Sequence, residues 1–384
     1  MTAIELLETI RRGEDSRHQF KRAVRHEREL AEDIVAFCNG DGGQIFVGVA
    51  DDGTVSGLTA REVADLNKRI SNASSQFVRP EPQILTENIE TPDGLVVVIS
   101  VPAGIAKPYQ DKDGNFWVKK GADNRRALAR EELQRMFQRS GLIHADILPV
   151  KDTSENDISR PYFDQVFQKE FGKAPEAAGI PFPQLLRNLK LLDEGGRLNI
   201  AGVLLFTLTP QLRLPVFIIK AVVYPGVKVG ASDYLDSRDI DGPLSMMFDG
   251  AVQFLRNNMR NLQAGQSVNS VGKPEIPSLV WEELVANALV HRDYFTSASI
   301  RLFVFSDRVE IVSPGHLPNG QTVESIQSGI SNIRNPILAS FAAKILPYRG
   351  LGNGILRALQ AHPDITFIDD RDGNQFKVIV KRPA

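Results

Sequence analysis

The chain of 384 residues holds a single cysteine, Cys38, and so cannot be built on an intramolecular disulfide framework. Cys38 closes the apolar run Ile34-Val35-Ala36-Phe37-Cys38, which reads as a buried structural thiol in a reducing compartment. No run approaches the roughly 18–20 apolar residues that span a bilayer, so no membrane partner is expected. Met1-Thr2-Ala3-Ile4-Glu5 lacks the charged-then-apolar pattern of a secretory leader, and the expected location is cytoplasmic. His18, His26, His144, His316 and His362 fall without ligand spacing, which argues against a structural zinc. There is no Gly-x-Ser-x-Gly elbow, internal repeat, heptad or low-complexity tract. A net charge of only −2 leaves no whole-chain preference for polyanions, so any basic surface must be local. What remains is ordinary globular composition, 42% apolar and 24% charged, and a length that supports two or three cores.

The most informative stretch is 282–294. Trp281, Leu284, Val285, Ala288 and Leu289 recur at helical spacing as one apolar stripe. Glu283, Asn287 and His291, at i, i+4 and i+8, form a separate polar stripe along the same helix. A carboxylate, an amide oxygen and an imidazole on one rigid element could ligate a hard cation that carries a phosphate. The stripe alone fits a solvated helix face as well. Two strands follow within 299–313, joined near Ser306-Asp307-Arg308 and ended by Pro314-Gly315. Gly350-Leu351-Gly352-Asn353-Gly354 then runs into a helical pattern, and such a turn can set backbone N–H groups against phosphate. His291-Arg292-Asp293 lacks the downstream Asn and the Asp-Phe-Gly element of a kinase.

In this order, Glu283-x-x-x-Asn287-Ala288, His291-Arg292-Asp293-Tyr294, Asp307-Arg308-Val309-Glu310-Ile311, Ser313-Pro314-Gly315, Ile333-Arg334-Asn335-Pro336 and Gly350-x-Gly352-x-Gly354 are distinctive. Together they resemble the divergent ATP-binding module of the GHKL superfamily, which joins gyrase, heat-shock chaperone, histidine kinase and mismatch-repair ATPases. The resemblance implies ATP and Mg2+ as cofactors, with Asn287 as the magnesium ligand. It implies that Glu283 orients or activates the attacking water. His291, Ser313, Gly315, Gly350, Gly352 and Gly354 would complete the nucleotide site. Ser313-Pro314-Gly315 stands where the superfamily commonly has an Asp and glycines that read the adenine amine, as it usually does in the divergent subgroup.

The first 140 residues read as α+β with a mostly antiparallel sheet. Helices are expected at 3–10, 29–39, 63–70 and 129–139, and strands at 44–50, 95–101 and 115–119. Between Lys107 and Arg139, nine Lys or Arg stand against five Asp or Glu, and 11–28 is also rich in arginine. Phosphate contacts are one use of such charges, and a solvated face is the other. Gly13-Glu14-Asp15-Ser16-Arg17-His18-Gln19-Phe20-Lys21, Ala36–Gly43, Phe46–Gly53 and Trp117–Asn124 resemble the Schlafen-type AlbA-like domain. That family is assigned to nucleic-acid binding, which implies DNA, or RNA, as partner. The residues indicated are Arg17, Lys21, Arg22, Lys119, Lys120, Arg125 and Arg126. Its nuclease members use two Glu five residues apart and a downstream Asp. Glu14 matches the first and Asp51 or Asp52 could supply the last, while Gln19 replaces the second, and an amide is a poor ligand and no base.

The polar stretch 145–160 reads as a linker or inter-domain strand. Helices are expected at 162–171, 183–192 and 248–262, whereas 201–206 and 216–223 are open between sheet and buried helix. The expected organisation is an AlbA-like domain over 1–142, a packed middle segment over 143–272, and a GHKL-like α/β sandwich module over 273–384. The expected function is an oligomeric transcriptional regulator whose DNA binding is tuned by nucleotide. The alternatives are a Mg-dependent ATPase of DNA processing or phage defence, a metal-dependent nuclease, and a scaffold with a vestigial site.

Overall fold

The chain divides into two units, Met1–Ile143 and His144–Ala384. The computed structural model describes residues 1–228, 233–263, 272–318, 321–350 and 352–383. Leu351 of the glycine-rich stretch, and the side chains of Glu131 and Arg139 in the basic tally, lie outside the described residues. Both units are α+β.

The first unit runs α1 (Ala3–Arg12), β1 (His18–Lys21), α2 (Glu27–Asn39), β2 (Gly43–Val47), α3 (Ala60–Asn72), β3 (Val78–Arg79), β4 (Leu85–Thr91), β5 (Gly94–Val101), β6 (Gln110–Asp111), β7 (Trp117–Lys120), β8 (Asp123–Arg126) and α4 (Arg130–Arg139). Thr2 and Thr59 start α1 and α3 with reciprocal capping boxes to Glu5 and Glu62. The main sheet has the order β1-β2-β5-β4, parallel at β1–β2 and antiparallel elsewhere. Alternation along β2 and β5 sends Ile45, Val47, Val97 and Ile99 toward α2, and Phe46, Val96 and Val98 toward Leu6 and Ile10 of α1. Coverage on both faces is why these strands read as unbroken apolar runs. β4 buries only Ile89, so an edge strand of polar residues carries little strand signal. Strand β2 stops at Val47 rather than Ala50, because Gly48 takes a left-handed φ of 105°.

The second unit contains α5 (Arg160–Phe171), α6 (Phe182–Asn188), α7 (Ile200–Phe206), β9 (Ile219–Val223), β10 (Asp236–Ile240), α8 (Leu244–Asn257), β11 (Asn261–Leu262), β12 (Lys273–Pro274), α9 (Ser278–His291), β13 (Ile300–Val304), β14 (Arg308–Pro314), α10 (Val323–Gln327), α11 (Pro336–Ile345), α12 (Gly354–Ala361), β15 (Ile365–Asp370) and β16 (Gln375–Lys381). The ambiguous run 201–206 is helix α7, started by Asn199, whose Oδ1 accepts from Gly202 N at 2.8 Å. The run 216–223 becomes strand β9. The helix expected over 248–262 begins earlier and ends at Asn257, where two successive asparagines, weak helix formers, meet. The one expected over 183–192 ends at Asn188, and Leu192 instead bridges to Leu198.

Six strands pair in the order β10-β9-β13-β14-β16-β15, antiparallel except at β9–β13. Helix α9 packs on β14, with α8, α11 and α12 beside it. Asn335, fully buried, donates from Nδ2 to the carbonyls of Val290 and Arg292 at 2.9 Å each, satisfying the end of α9. Asp146, also fully buried, accepts from Ile337 N at 2.7 Å and Leu338 N at 3.1 Å, and so caps α11. His144 Nδ1 lies 3.0 Å from the carbonyl of Arg334.

Candidate functional site

The apolar stripe of α9 is buried: Val280, Trp281, Leu284, Val285 and Leu289 are at most 2% exposed. In the polar stripe Glu283 is buried, while Asn287 and His291 are half-buried. Glu283, Asn287 and His291 line a cleft between α9 and the sheet, floored by Ile311 and Ser313 of β14, Phe367 of β15, and Phe376 and Val378 of β16. Its empty space is about 1030 Å³, open mouth included. Gly315, Gly350, Gly352 and Gly354 border the same cleft, so the structure brings together every residue singled out for the nucleotide site. Arg334, Arg349 and Arg357 border it too, against one carboxylate, Glu283. An apolar floor with a cationic rim suits a ligand with a flat ring at one end and negative charge at the other.

Each polar group has a distinct state. Glu283 is 2% exposed; burial raises its pKa, opposed chiefly by Arg357, whose Nη2 stands 2.5 Å from Oε1. His291 Nε2 lies 3.0 Å from the Tyr348 hydroxyl, and desolvation, helped by the Arg334 cation, pushes its pKa down to about 4. The imidazole is therefore neutral. Ser313 donates its hydroxyl to the Ala288 carbonyl at 3.3 Å, fastening β14 to α9. Arg292, 2% exposed, lies over the rings of Phe217 and Tyr294 and donates to the carbonyls of Thr296 and Ala298. Its role is architectural. The side chain of Asn287, half-buried, has no hydrogen-bond partner among the described residues.

Two glycines are demanded by space. Gly352 has φ 74°, and a Cβ there would run into the carbonyl oxygen of Gly329. Gly354, the first residue of α12, lies so near Glu283 that a Cβ would collide with Oε2. Backbone is thereby drawn into the cleft at a helix N-terminus, where N–H groups face outward. The donor set fits a magnesium nucleotide: Mg2+ usually keeps one or two protein oxygens beside waters and phosphate, and Asn287 offers an uncommitted amide. Pattern reasoning missed Arg349, Arg357 and Tyr348. Only the position of Arg357, one turn beyond Gly354, could have suggested it.

In the first unit the predicted cations separate. Lys21 Nζ is 2.8 Å from Oδ2 of Asp33, a carboxylate 2% exposed on α2, whose Oδ1 is taken by Asn124 Nδ2 at 2.5 Å. Lys119 donates to Gln19 Oε1 at 3.0 Å and to the Ala122 carbonyl at 2.6 Å, and lies over the Phe37 ring. Desolvation lowers the pKa of Lys119, with Asp33 opposing, and burial raises that of Asp33, with Lys21 opposing. Pairing of Trp117 with Arg126 and Lys119 with Asn124 explains this: those residues share the face of the β7–β8 hairpin that meets α2. Arg126 lies over the Trp117 ring, and Arg125 is held by both oxygens of Glu132 at 2.8 and 2.5 Å. Arg17, Arg22, Lys120 and Arg126 are exposed and make no ion pair among the described residues. Glu14, Gln19 and Asp51 border one open groove with Lys21, Arg22 and Arg25. There Glu14 Oε1 accepts from Phe20 N at 2.6 Å. Among the described residues no group of three His, Cys, Asp or Glu could hold a metal, and no helix is long and apolar enough to cross a membrane.

Residues 14–128 match the family model described as "Schlafen, AlbA_2", and residues 297–380 match "Putative ATP-dependent DNA helicase recG C-terminal". The chain thus carries an N-terminal Schlafen AlbA_2 domain and a C-terminal ATPase-like domain. The second match begins after α9, so Glu283, Asn287 and His291 lie outside it. Among solved structures, the DIP2311 protein from Corynebacterium diphtheriae is 21% identical, with a TM-score of 0.46, over 99% of this chain and 69% of that one. The N-terminal domain of a "Putative ATP-dependent DNA Helicase RecG-related Protein" from Nitrosomonas europaea is 22% identical, with a TM-score of 0.24, over 34% of this chain and 96% of that one. No curated protein matches the chain.

Proposed function

We propose that the chain is a nucleic-acid-binding regulator whose second unit binds ATP with Mg2+. One observation carries the nucleotide half: an uncommitted Asn287, three arginines and a glycine turn at a helix start converge on one cleft with an apolar floor. The floor takes the base, the arginines and the α12 N-terminus take the phosphates, and Asn287 holds the metal. Bound Mg2+ neutralises phosphate charge and fixes the orientation of the chain of phosphates. Arg17, Arg22, Lys120 and Arg126 supply phosphate contacts to DNA from the first unit, since they are exposed and make no ion pair among the described residues. Nucleotide tunes DNA affinity if it binds one conformation or oligomer of the cytoplasmic protein better than another.

Calorimetric titration of the purified protein with Mg-ATP, beside Asn287→Ala, tests the nucleotide half. Saturable binding that weakens about tenfold in the variant is expected, and no binding by the native protein at millimolar nucleotide refutes it. Titration of labelled duplex DNA with and without saturating Mg-ATP tests the coupling, which fails if the two affinities agree. Hydrolysis is a second reading, favoured by the place of Glu283 one turn before Asn287. It predicts multiple-turnover phosphate release abolished by Glu283→Ala.

A further inference from the structure

Arg357 lies on the first turn of α12 and meets two demands at once. Its Nη2 pairs with Glu283 Oε1 at 2.5 Å, and Glu283, being 2% exposed, meets it with little water to screen the charge. The pairing is incomplete on the cationic side: among the described residues, Arg357 Nε is buried without a hydrogen-bond partner, as is Asn353 Oδ1 just before the helix. The guanidinium also borders the cleft beside Gly352 and Gly354, where α12 begins. A guanidinium grips carboxylate and phosphate through the same planar fork, and the helix start favours the phosphate.

We propose that Arg357 is a nucleotide-binding residue for which Glu283 and the polyphosphate of a nucleoside triphosphate compete. The proposal rests on the nucleotide reading above and adds a regulatory term to it. Glu283 acts as a tethered anion that occupies the guanidinium, so that ligand binding must displace an ion pair. Triphosphates, with the most charge to offer, displace it best, and a nucleoside without phosphates cannot. Release of Arg357 also frees the Glu283 carboxylate on the wall next to Asn287.

The test is calorimetric titration of the full chain with Mg-AMP-PNP, a triphosphate that is not hydrolysed, in four forms: native, Glu283→Gln, Arg357→Gln and the double variant. Glu283→Gln keeps the side-chain shape and removes the charge. It should bind roughly tenfold tighter, Arg357→Gln roughly tenfold weaker, and Glu283→Gln should add no tightening once Arg357 is gone. A gain in affinity cannot come from misfolding, and if Arg357→Gln folds poorly, Arg357→Met, which also lacks the charge, replaces it in the single and double variants. Unchanged or weaker binding by Glu283→Gln, or tightening that persists without Arg357, overturns the competition and leaves the nucleotide reading standing. No binding by any form at millimolar ligand overturns both.

Discussion

Asp33 in the first unit and Glu283 in the second are both helix carboxylates, both 2% exposed, both raised in pKa by burial and both ion-paired. Their surroundings differ. Around Asp33, Lys21 takes one oxygen and Asn124 the other, while nearby Lys119 is held by Gln19 and a backbone carbonyl. Around Glu283, a single arginine takes one oxygen, a neighbouring amide is uncommitted among the described residues, and the cleft alongside is open. A closed set of charges holds a domain together, whereas an open set is ready for a ligand. Residue type does not separate the two cases; the count of committed partners does.

Breaking the closed set has the largest expected effect. Asp33→Ala leaves Lys21 and Lys119 without their anion and should cost the first unit about 3 kcal/mol. Denaturant unfolding followed by the near-UV signal of Trp117 reads this. A loss below about 1 kcal/mol, the worth of a surface pair, would put Asp33 in the wrong class.

A pH titration probes the open set. The pKa of His291 falls from 6.5 to about 4, so its contribution to stability is fully present above 6.5 and lost as pH falls toward 4. The second unit should lose on the order of 2 kcal/mol over that window, and His291→Gln should flatten the slope. Glu283 works the other way: its raised pKa gives a contribution present below 4.5 and lost as pH rises through its folded value. Unfolding curves at several pH values for both proteins decide, and a slope unchanged by the substitution counts against a buried neutral imidazole.

Asn287→Ala should weaken Mg-ATP binding about tenfold, or ~1.4 kcal/mol, yet leave metal-free ATP binding in chelator unchanged. Equal losses with and without Mg2+ would make Asn287 a phosphate contact and not a metal ligand. The smallest effect belongs to a surface cation. Lys120→Ala should lower DNA affinity by less than about tenfold and reduce the salt slope by about one, without a change in stability. Lys21→Ala should behave oppositely and harm stability first.

What the chain announces and what it conceals divide along similar lines. Helix α9, the hairpin β13–β14 and the glycine turn are legible because periodicity, a Pro-Gly stop and clustered glycines are local signals. The boundaries of α6 and α8 are less so, since asparagine ends and a short bridge override apolar spacing. Arg357 and Asp33 gave no local sign, because their importance lies in partners 74 and 12 residues away in sequence. Lys21 and Lys119 read as surface charge, since a lysine with a distant carboxylate looks like any other lysine. Strand pairing alone places Lys119 and Lys120 on opposite faces.

The capping of α11 by Asp146 bears on how the protein can be cut. A recombinant piece starting at 297 loses the α9 wall of the cleft, and one starting at 273 keeps the whole cleft lining yet still discards the carboxylate that receives the N–H groups of Ile337 and Leu338 and the imidazole at the Arg334 carbonyl. Two amides would lose their acceptor at the base of the helix that follows Arg334, and the back of the cleft would loosen. The smallest fragment that keeps this joint therefore begins at His144, well upstream of the matched family region, and expression boundaries should be drawn there.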